Sequence, residues 1–290
     1  MNKERKALFK YGISCALEPQ PERQPVILRG TIHEVTKLAA EIGYDGVELF
    51  IRNPAQYDRE EMLEAAERAG VEYCAIATGM EFSLNGLCLI SDDTSIRSAA
   101  VARLKEHLDL GASLKCPVVV GIMRGNVPDF DRYQEYEDRL SHALTELNAY
   151  AAQCGGSIVV ESILRYINNY LNSATETADY LRRLNLPRVK LHIDTHSMIL
   201  EDRDLAGSVR KTADILGYVH FPDSNRGYPG AGNIDFKPIM RALCDAGYQG
   251  DIDLECQPYP TQRACGERGL QYLKALETVV RTELQDYRRL

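Results

Sequence analysis

VKLHIDT, residues 189–195, reads as a buried strand that ends on an acid, and three other stretches repeat the design. They are SIVVES (157–162), GYVHFPD (217–223) and DIDLECQP (251–258). Each is a short apolar run with one polar side chain at its end: Glu161, Asp194, His220 and Glu255. Successive members lie 33, 26 and 35 residues apart, room for one strand, one helix and their loops. One polar residue at a strand end is ordinarily a satisfied structural group. Four on consecutive strands converge on one point if those strands are neighbours in a barrel. Three carboxylates and an imidazole form a hard, oxygen-rich set suited to one divalent cation, Mn²⁺, Mg²⁺, Co²⁺ or Zn²⁺.

Working outward, the same alternation covers the chain. Strands are expected at 11–17, 46–50, 72–77, 118–123, 157–161, 189–194, 218–221 and 251–256. They are continuous apolar runs, as in a parallel sheet covered on both faces. Helical patterns fall between them, at 31–42, 59–69, 95–114, 133–153, 175–184, 205–215, 237–246 and 267–284. Asp92 and Asp93 are N-cap candidates, and Gly43, Gly70, Gly111 and Gly247 stand where left-handed caps are common. Eight strands alternating with eight helices predict an α/β protein, a single (β/α)₈ TIM-type barrel over residues 1–290, with 1–10 and 285–290 as peripheral tails. A doubly wound sheet would carry a Gly-rich phosphate turn after its first strand, and Ala16-Leu17-Glu18-Pro19-Gln20-Pro21 is no such turn. The Pro-rich stretch 19–25 reads as a long first βα loop, a candidate lid. Catalytic groups of such barrels stand at strand C-termini, which is where the four residues fall.

Composition narrows the function. The 290 residues are 44% hydrophobic and 26% charged, with a net charge of −8 that argues against a nucleic-acid partner. Eight cysteines form no CxxC pair, and several lie in apolar runs, which reads as free thiols in a cytoplasmic, reducing setting. MNKERKALFK lacks the apolar core of a signal peptide, and no apolar run is long enough to span a membrane.

Further stretches carry a specific resemblance: GYDGVEL (43–49), CAIATG (74–79), VVVGIMRG (118–125), DSNR (223–226), PGAGNIDF (229–236) and LECQPYP (254–260). Together they resemble the sugar isomerase/epimerase family of xylose-isomerase-like barrels. The nearest likeness is to its D-tagatose 3-epimerase and 5-keto-L-gluconate epimerase branch. The likeness runs from about residue 11 to 276. It implies that Glu161, Asp194, His220 and Glu255 bind one divalent metal, in that family usually Mn²⁺, and that Glu161 and Glu255 also move protons. It implies a keto sugar or keto sugar acid as substrate and, as in many relatives, a homodimer or homotetramer. Epimerisation beside a ketone suits this set. One carboxylate removes a C–H proton, the enediolate is reprotonated from the other face by the second, and a cation stabilises the oxyanion. His220 should donate its second ring N–H to some acceptor. Arg226 matches a substrate-contacting position; Arg124 offers a fork of donors to substrate or a structural salt bridge. Glu48, ending the second strand, is a substrate contact or a partner of a ligand. Arg165 matches a family Arg that reads as structural or as a partner of a ligand.

Two departures bear on substrate. The branch pattern E-x-x-N-R-aromatic-E becomes Glu161-Ser162-Ile163-Leu164-Arg165-Tyr166-Ile167, so Leu164 and Ile167 stand for an Asn and a Glu. The pattern D-T-F-H-M becomes Asp194-Thr195-His196-Ser197-Met198, which puts Ser197 for the substrate-contacting His and leaves His196 to enter the site or to pack. These losses change what can be hydrogen-bonded, and a simple free ketose is placed in doubt. Three other readings stay open: a metal-dependent dehydratase resembling inosose or dehydroshikimate dehydratases, a non-catalytic sugar-binding barrel, and a DNA-repair abasic-site endonuclease. The last has little support from an acidic chain with six histidines, one of them placed as a ligand.

Overall fold

Apolar strands that leave no edge close into a ring. The computed structural model describes residues 7–19 and 24–287. Its barrel strands are β1 (Lys10–Ala16), β3 (Gly46–Phe50), β4 (Glu72–Ala77), β5 (Val118–Val120), β6 (Ile158–Glu161), β7 (Val189–Asp194), β8 (Leu216–His220) and β9 (Asp251–Leu254). All neighbours are parallel, and pairing of β1 with β9 closes the circle. A two-residue strand, β2 (Leu28–Arg29), pairs with the end of β1. The fold is the single (β/α)₈ barrel that the alternation predicts.

The helices are α1 (Ile32–Ile42), α2 (Arg59–Ala69), α3 (Gly79–Asn85), α4 (Thr94–Leu114), α5 (Tyr133–Cys154), α6 (Ala174–Leu184), α7 (Thr195–Glu201), α8 (Leu205–Lys211), α9 (Phe236–Asp245) and α10 (Gln262–Tyr287). Local chemistry sets their starts. Thr31 and Glu34 form a capping box on α1, and the Asp93 carboxylate accepts from Ser95 N at 2.7 Å to start α4. Asp92 is not a cap; it pairs with Arg132 and Arg139. Gly111 lies inside α4, where a Cβ would stand 2.9 Å from the Cys116 carbonyl, so it serves close packing rather than a cap.

The other expectations that shift do so for local reasons. The strand expected at 118–123 stops at Val120, because Gly121 turns the chain into a short 3₁₀ segment, Ile122–Arg124. A Cβ on Gly121 would stand 2.7 Å from Glu161 Oε2, so this glycine admits the neighbouring carboxylate. Helices α3 and α7 follow β4 and β7 where the sequence reads as loop. Of the expected C-terminal tail, residues 285–287 belong to α10, and 288–290 lie outside the described residues. Of the expected N-terminal tail, residues 1–6 lie outside the described residues, as do 20–23 of the Pro-rich loop. Among the described residues no helix is long and apolar enough to cross a membrane.

The main core lies between sheet and helices. Inside the ring the filling is partly polar: Glu48, His192 and Asp253 are fully buried beside Cys74, Val119, Val159 and Tyr218. Two glycines make that filling possible. Gly12 pairs with Asp253 and Gly46, and a Cβ on it would meet Asp253 Oδ2 at 2.1 Å and Cys74 Sγ at 2.6 Å. Replacing Gly12 by Ala is expected to lower unfolding free energy by about 1–3 kcal/mol, measured by urea denaturation, because an extra methyl overfills a packed interior.

On the outer layer, His107 of α4 is fully buried, and burial, reinforced by Arg103, pushes its pKa down to about 3. The unfolded chain binds that proton below its ordinary value of about 6.5 and the folded chain does not. Stability from this group is therefore complete above about pH 6.5 and falls as pH drops towards 3. Between pH 7 and pH 5 the protein should lose about 1–2 kcal/mol more than a His107→Asn variant, read from urea midpoints.

Candidate active site and metal centre

Register at the C-terminal ends of β6–β9 brings the four signal residues together. Glu161 stands opposite His192, Asp194 opposite His220, and His220 opposite Asp253. Ligating atoms of Asp194, His220 and Glu255 lie within 4.8 Å of one another, and Glu161 lies within the same distance of His220 and His192. A cavity of about 280 Å³ opens above them, with Glu161, Ser197, His220, Arg226 and Glu255 in its lining. A larger groove of about 580 Å³ lies between α4 and α5, and none of the predicted site residues reaches it.

His220 is held from below. Its Nε2 lies 3.0 Å from Glu48 Oε2, a contact across the barrel between β8 and β3. The acceptor that the sequence left unnamed is Glu48, which is fully buried and does not line the cavity. The other nitrogen, Nδ1, makes no hydrogen bond, and it stands 3.8 Å from Asp194 Oδ2 and 3.5 Å from Glu255 Oε2. A buried ring nitrogen that faces two carboxylates without a hydrogen bond fits a divalent-cation ligand. Burial would lower the His220 pKa, but Glu48 and Asp194 outweigh it and raise it to about 10.

Asp194 has divided duties. Its Oδ1 accepts from Ser197 N at 2.9 Å and caps α7, while Oδ2 takes Arg226 at 2.6 Å. Burial opposes its charge, yet Arg226, His220 and the Ser197 amide together hold its carboxyl below the usual range. At Glu161 the positive charges of His220, Arg226 and Arg124 are outweighed. Burial first, then the Asp194 charge, push it up to about 7.

Arg226 joins Asp194 to Glu255 through one guanidinium. Its backbone is left-handed, with φ of 59°, and its amide donates to the Asp223 carbonyl at 2.9 Å. The fully buried Asp223 carboxylate accepts from Ser224, Gly230 and Ile234 amides at 2.7, 2.9 and 3.0 Å. It gathers the loop 223–234 around itself and aims Arg226 inward. Sequence reading passed over Asp223. Its signal was an Asp-Ser pair opening a Gly-rich, irregular run, the setting in which a carboxylate organises backbone amides.

Other predicted residues stand elsewhere. Arg124 is wholly buried behind the wall; it donates to the Leu171 carbonyl at 3.2 Å and stacks on Tyr170 at 5.2 Å. Among the described residues it neither lines the cavity nor makes a salt bridge. His196 turns away too, with Nδ1 3.0 Å from the Ser224 carbonyl, and it does not line the cavity. Ser197 does line the cavity, as do Leu164 and Ile167. Arg165 pairs with Glu201 at 2.7 Å, away from the centre.

The family description "xylose isomerase-like TIM barrel" matches residues 36–278. The chain belongs to that family. Within it, the chain is 33% identical over 225 residues to an L-ribulose 3-epimerase of Methylomonas sp. (strain DH-1), covering 75% of each. It is 29% identical over 224 residues to a ketose 3-epimerase of Arthrobacter globiformis, covering 74% of each. A solved structure of L-ribulose 3-epimerase superposes with a TM-score of 0.82 at 21% identity, covering 96% of this chain and 97% of that one, a likeness of fold. The barrel strands that carry Glu161, Asp194, His220 and Glu255 fall inside the matched span.

If Glu48 fixes the ring of His220, the Glu48→Gln variant should bind Mn²⁺ about 10- to 100-fold more weakly by calorimetry, with its unfolding midpoint little changed.

Proposed function

We propose that the protein is a metal-dependent epimerase of a keto sugar or keto sugar acid, with Glu161 and Glu255 as its proton carriers. One observation carries the reading. The two carboxylates flank β7 and β8, stand at the ends of β6 and β9, and open into the same small cavity. The names of the relatives support epimerisation ahead of the dehydratase and binding-protein readings.

In this reading the chain's residues divide the work. One glutamate takes the C–H proton beside the carbonyl and the other returns a proton to the opposite face, which inverts the carbon through an enediolate. Arg226 reaches the same cavity and is placed to hold substrate oxygens once it is not neutralising Asp194 and Glu255. Asp194, His220, Glu161 and Glu255 would hold a divalent cation, Mn²⁺ by family habit, which would polarise the carbonyl and stabilise the oxyanion. Glu48 keeps His220 oriented for that task. Eight free cysteines among the described residues support a cytoplasmic setting.

The test is proton exchange in D₂O, followed by NMR, with the Mn²⁺-loaded protein and a panel of ketoses and keto-uronates. Deuterium should enter at a carbon next to the carbonyl. Exchange should fall at least ~100-fold in Glu161→Gln and Glu255→Gln, and on removal of the metal by a chelator. Exchange that survives Glu255→Gln undiminished rules out its role.

A further inference from the structure

Three of the four site residues are held by a neighbour and one is not. Asp194 accepts from the Ser197 amide and from Arg226, His220 pairs with Glu48, and Glu255 pairs with Arg226. Among the described residues Glu161 makes neither a hydrogen bond nor an ion pair; burial and more distant charges act on its carboxyl. On one flank it runs past Gly121, which carries no side chain to hold it. A carboxylate that is to hold a cation and move a proton needs an outer partner that keeps its oxygens aimed.

On the other flank stands a side chain that has had no task so far. His192 of β7 is the register partner of Glu161 on β6. It lies two residues before Asp194, so strand alternation turns both to the same face, and it is fully buried inside the ring. Neither its Nδ1 nor its Nε2 has a hydrogen-bond partner. A neutral imidazole carries one donor and one acceptor, and burying both unmet is costly. Ligating atoms of His192, Glu161 and His220 lie within 4.8 Å of one another, a span that one water bridges. Aromatic neighbours fix the ring: His220 meets it edge-on at 4.2 Å between centroids, and Tyr218 lies against it at 5.0 Å. His192 is not a member of the trio Asp194, His220 and Glu255. It is turned to Glu161 rather than to the middle of the ligand set.

We propose that His192 is the positioning residue of Glu161. This rests on the epimerase reading above. Its ring N–H donates to the Glu161 carboxylate, directly or across one water, and holds those oxygens at the angle from which they meet the substrate C–H bond. His192 does not line the cavity, so it acts through Glu161 and not on the substrate. The arrangement mirrors the other side of the centre, where buried Glu48 holds His220. There a carboxylate orients an imidazole; here an imidazole orients a carboxylate. A ring nitrogen given to the cation instead would make His192 a ligand, and the experiment separates the two roles.

The test follows D₂O exchange on the Mn²⁺-loaded protein with whichever ketose or keto-uronate of the panel exchanges. His192→Phe keeps the ring's bulk and removes its nitrogens. It should lower kcat by ~10- to 100-fold with KM little changed, and His192→Gln, which keeps a donor, should recover most of that loss. Added to Glu161→Gln, His192→Phe should cost almost nothing more; added to Glu255→Gln, it should cost its full factor. Full and equal losses in both backgrounds show a general structural role and overturn the proposal. Electron spin-echo spectra of the Mn²⁺ protein labelled with ¹⁵N-histidine count the imidazoles on the ion. One is expected, unchanged in His192→Phe; loss of an imidazole in that variant makes His192 a ligand and overturns the proposal. A further measurement needs neither turnover nor a folded Phe variant. In Mg²⁺-loaded, ¹⁵N-histidine-labelled protein, the ring resonance that disappears in His192→Gln should shift in Glu161→Gln. No shift overturns the proposal. A shift without exchange on any sugar overturns the epimerase reading and upholds the pairing of His192 with Glu161.

Discussion

A single hydrogen bond across the barrel, His220 to Glu48, sets the geometry on which the centre depends. The two residues are 172 positions apart in sequence. They meet because eight parallel strands close through β1 and β9 and so put β3 and β8 across a narrow interior. With Nε2 occupied, the imidazole can turn only Nδ1 towards Asp194 and Glu255. The cost is a buried carboxylate inside the ring, next to a second one, Asp253, whose carboxyl is pushed well up by burial and by Glu48. Glycine at 12 supplies the room for Asp253.

Above that floor a loop does the work of a wall. The chain from 223 to 234 has no regular structure, yet one buried carboxylate, Asp223, satisfies three of its amides. Buried backbone donors need partners, and Asp223 supplies them where no helix or sheet can. Arg226, left-handed, stands in that loop, and its guanidinium reaches Asp194 and Glu255.

Much of this was legible in the sequence. Strands 46–50, 72–77 and 189–194 start and stop where their apolar runs do, because a strand buried on both faces leaves little latitude. The four strand-end residues were readable for the same reason: a charge at the end of a buried run has few places to go. What escaped reading depends on distant neighbours. Glu48 reads alike as a substrate contact or a partner until His220 is seen above it. Arg124 looks like a donor for substrate because its burial behind Tyr170 leaves no mark on its own segment. Helix α7 was invisible as a helix because its start is written by Asp194, which the pattern had already assigned to chemistry.

That double employment of Asp194 reaches beyond α7. A carboxylate whose Oδ1 caps a helix cannot rotate about its last bond without orphaning the Ser197 amide. The start of a helix therefore keeps Oδ2 turned towards Arg226 and His220, the oxygen it would offer to a cation held there.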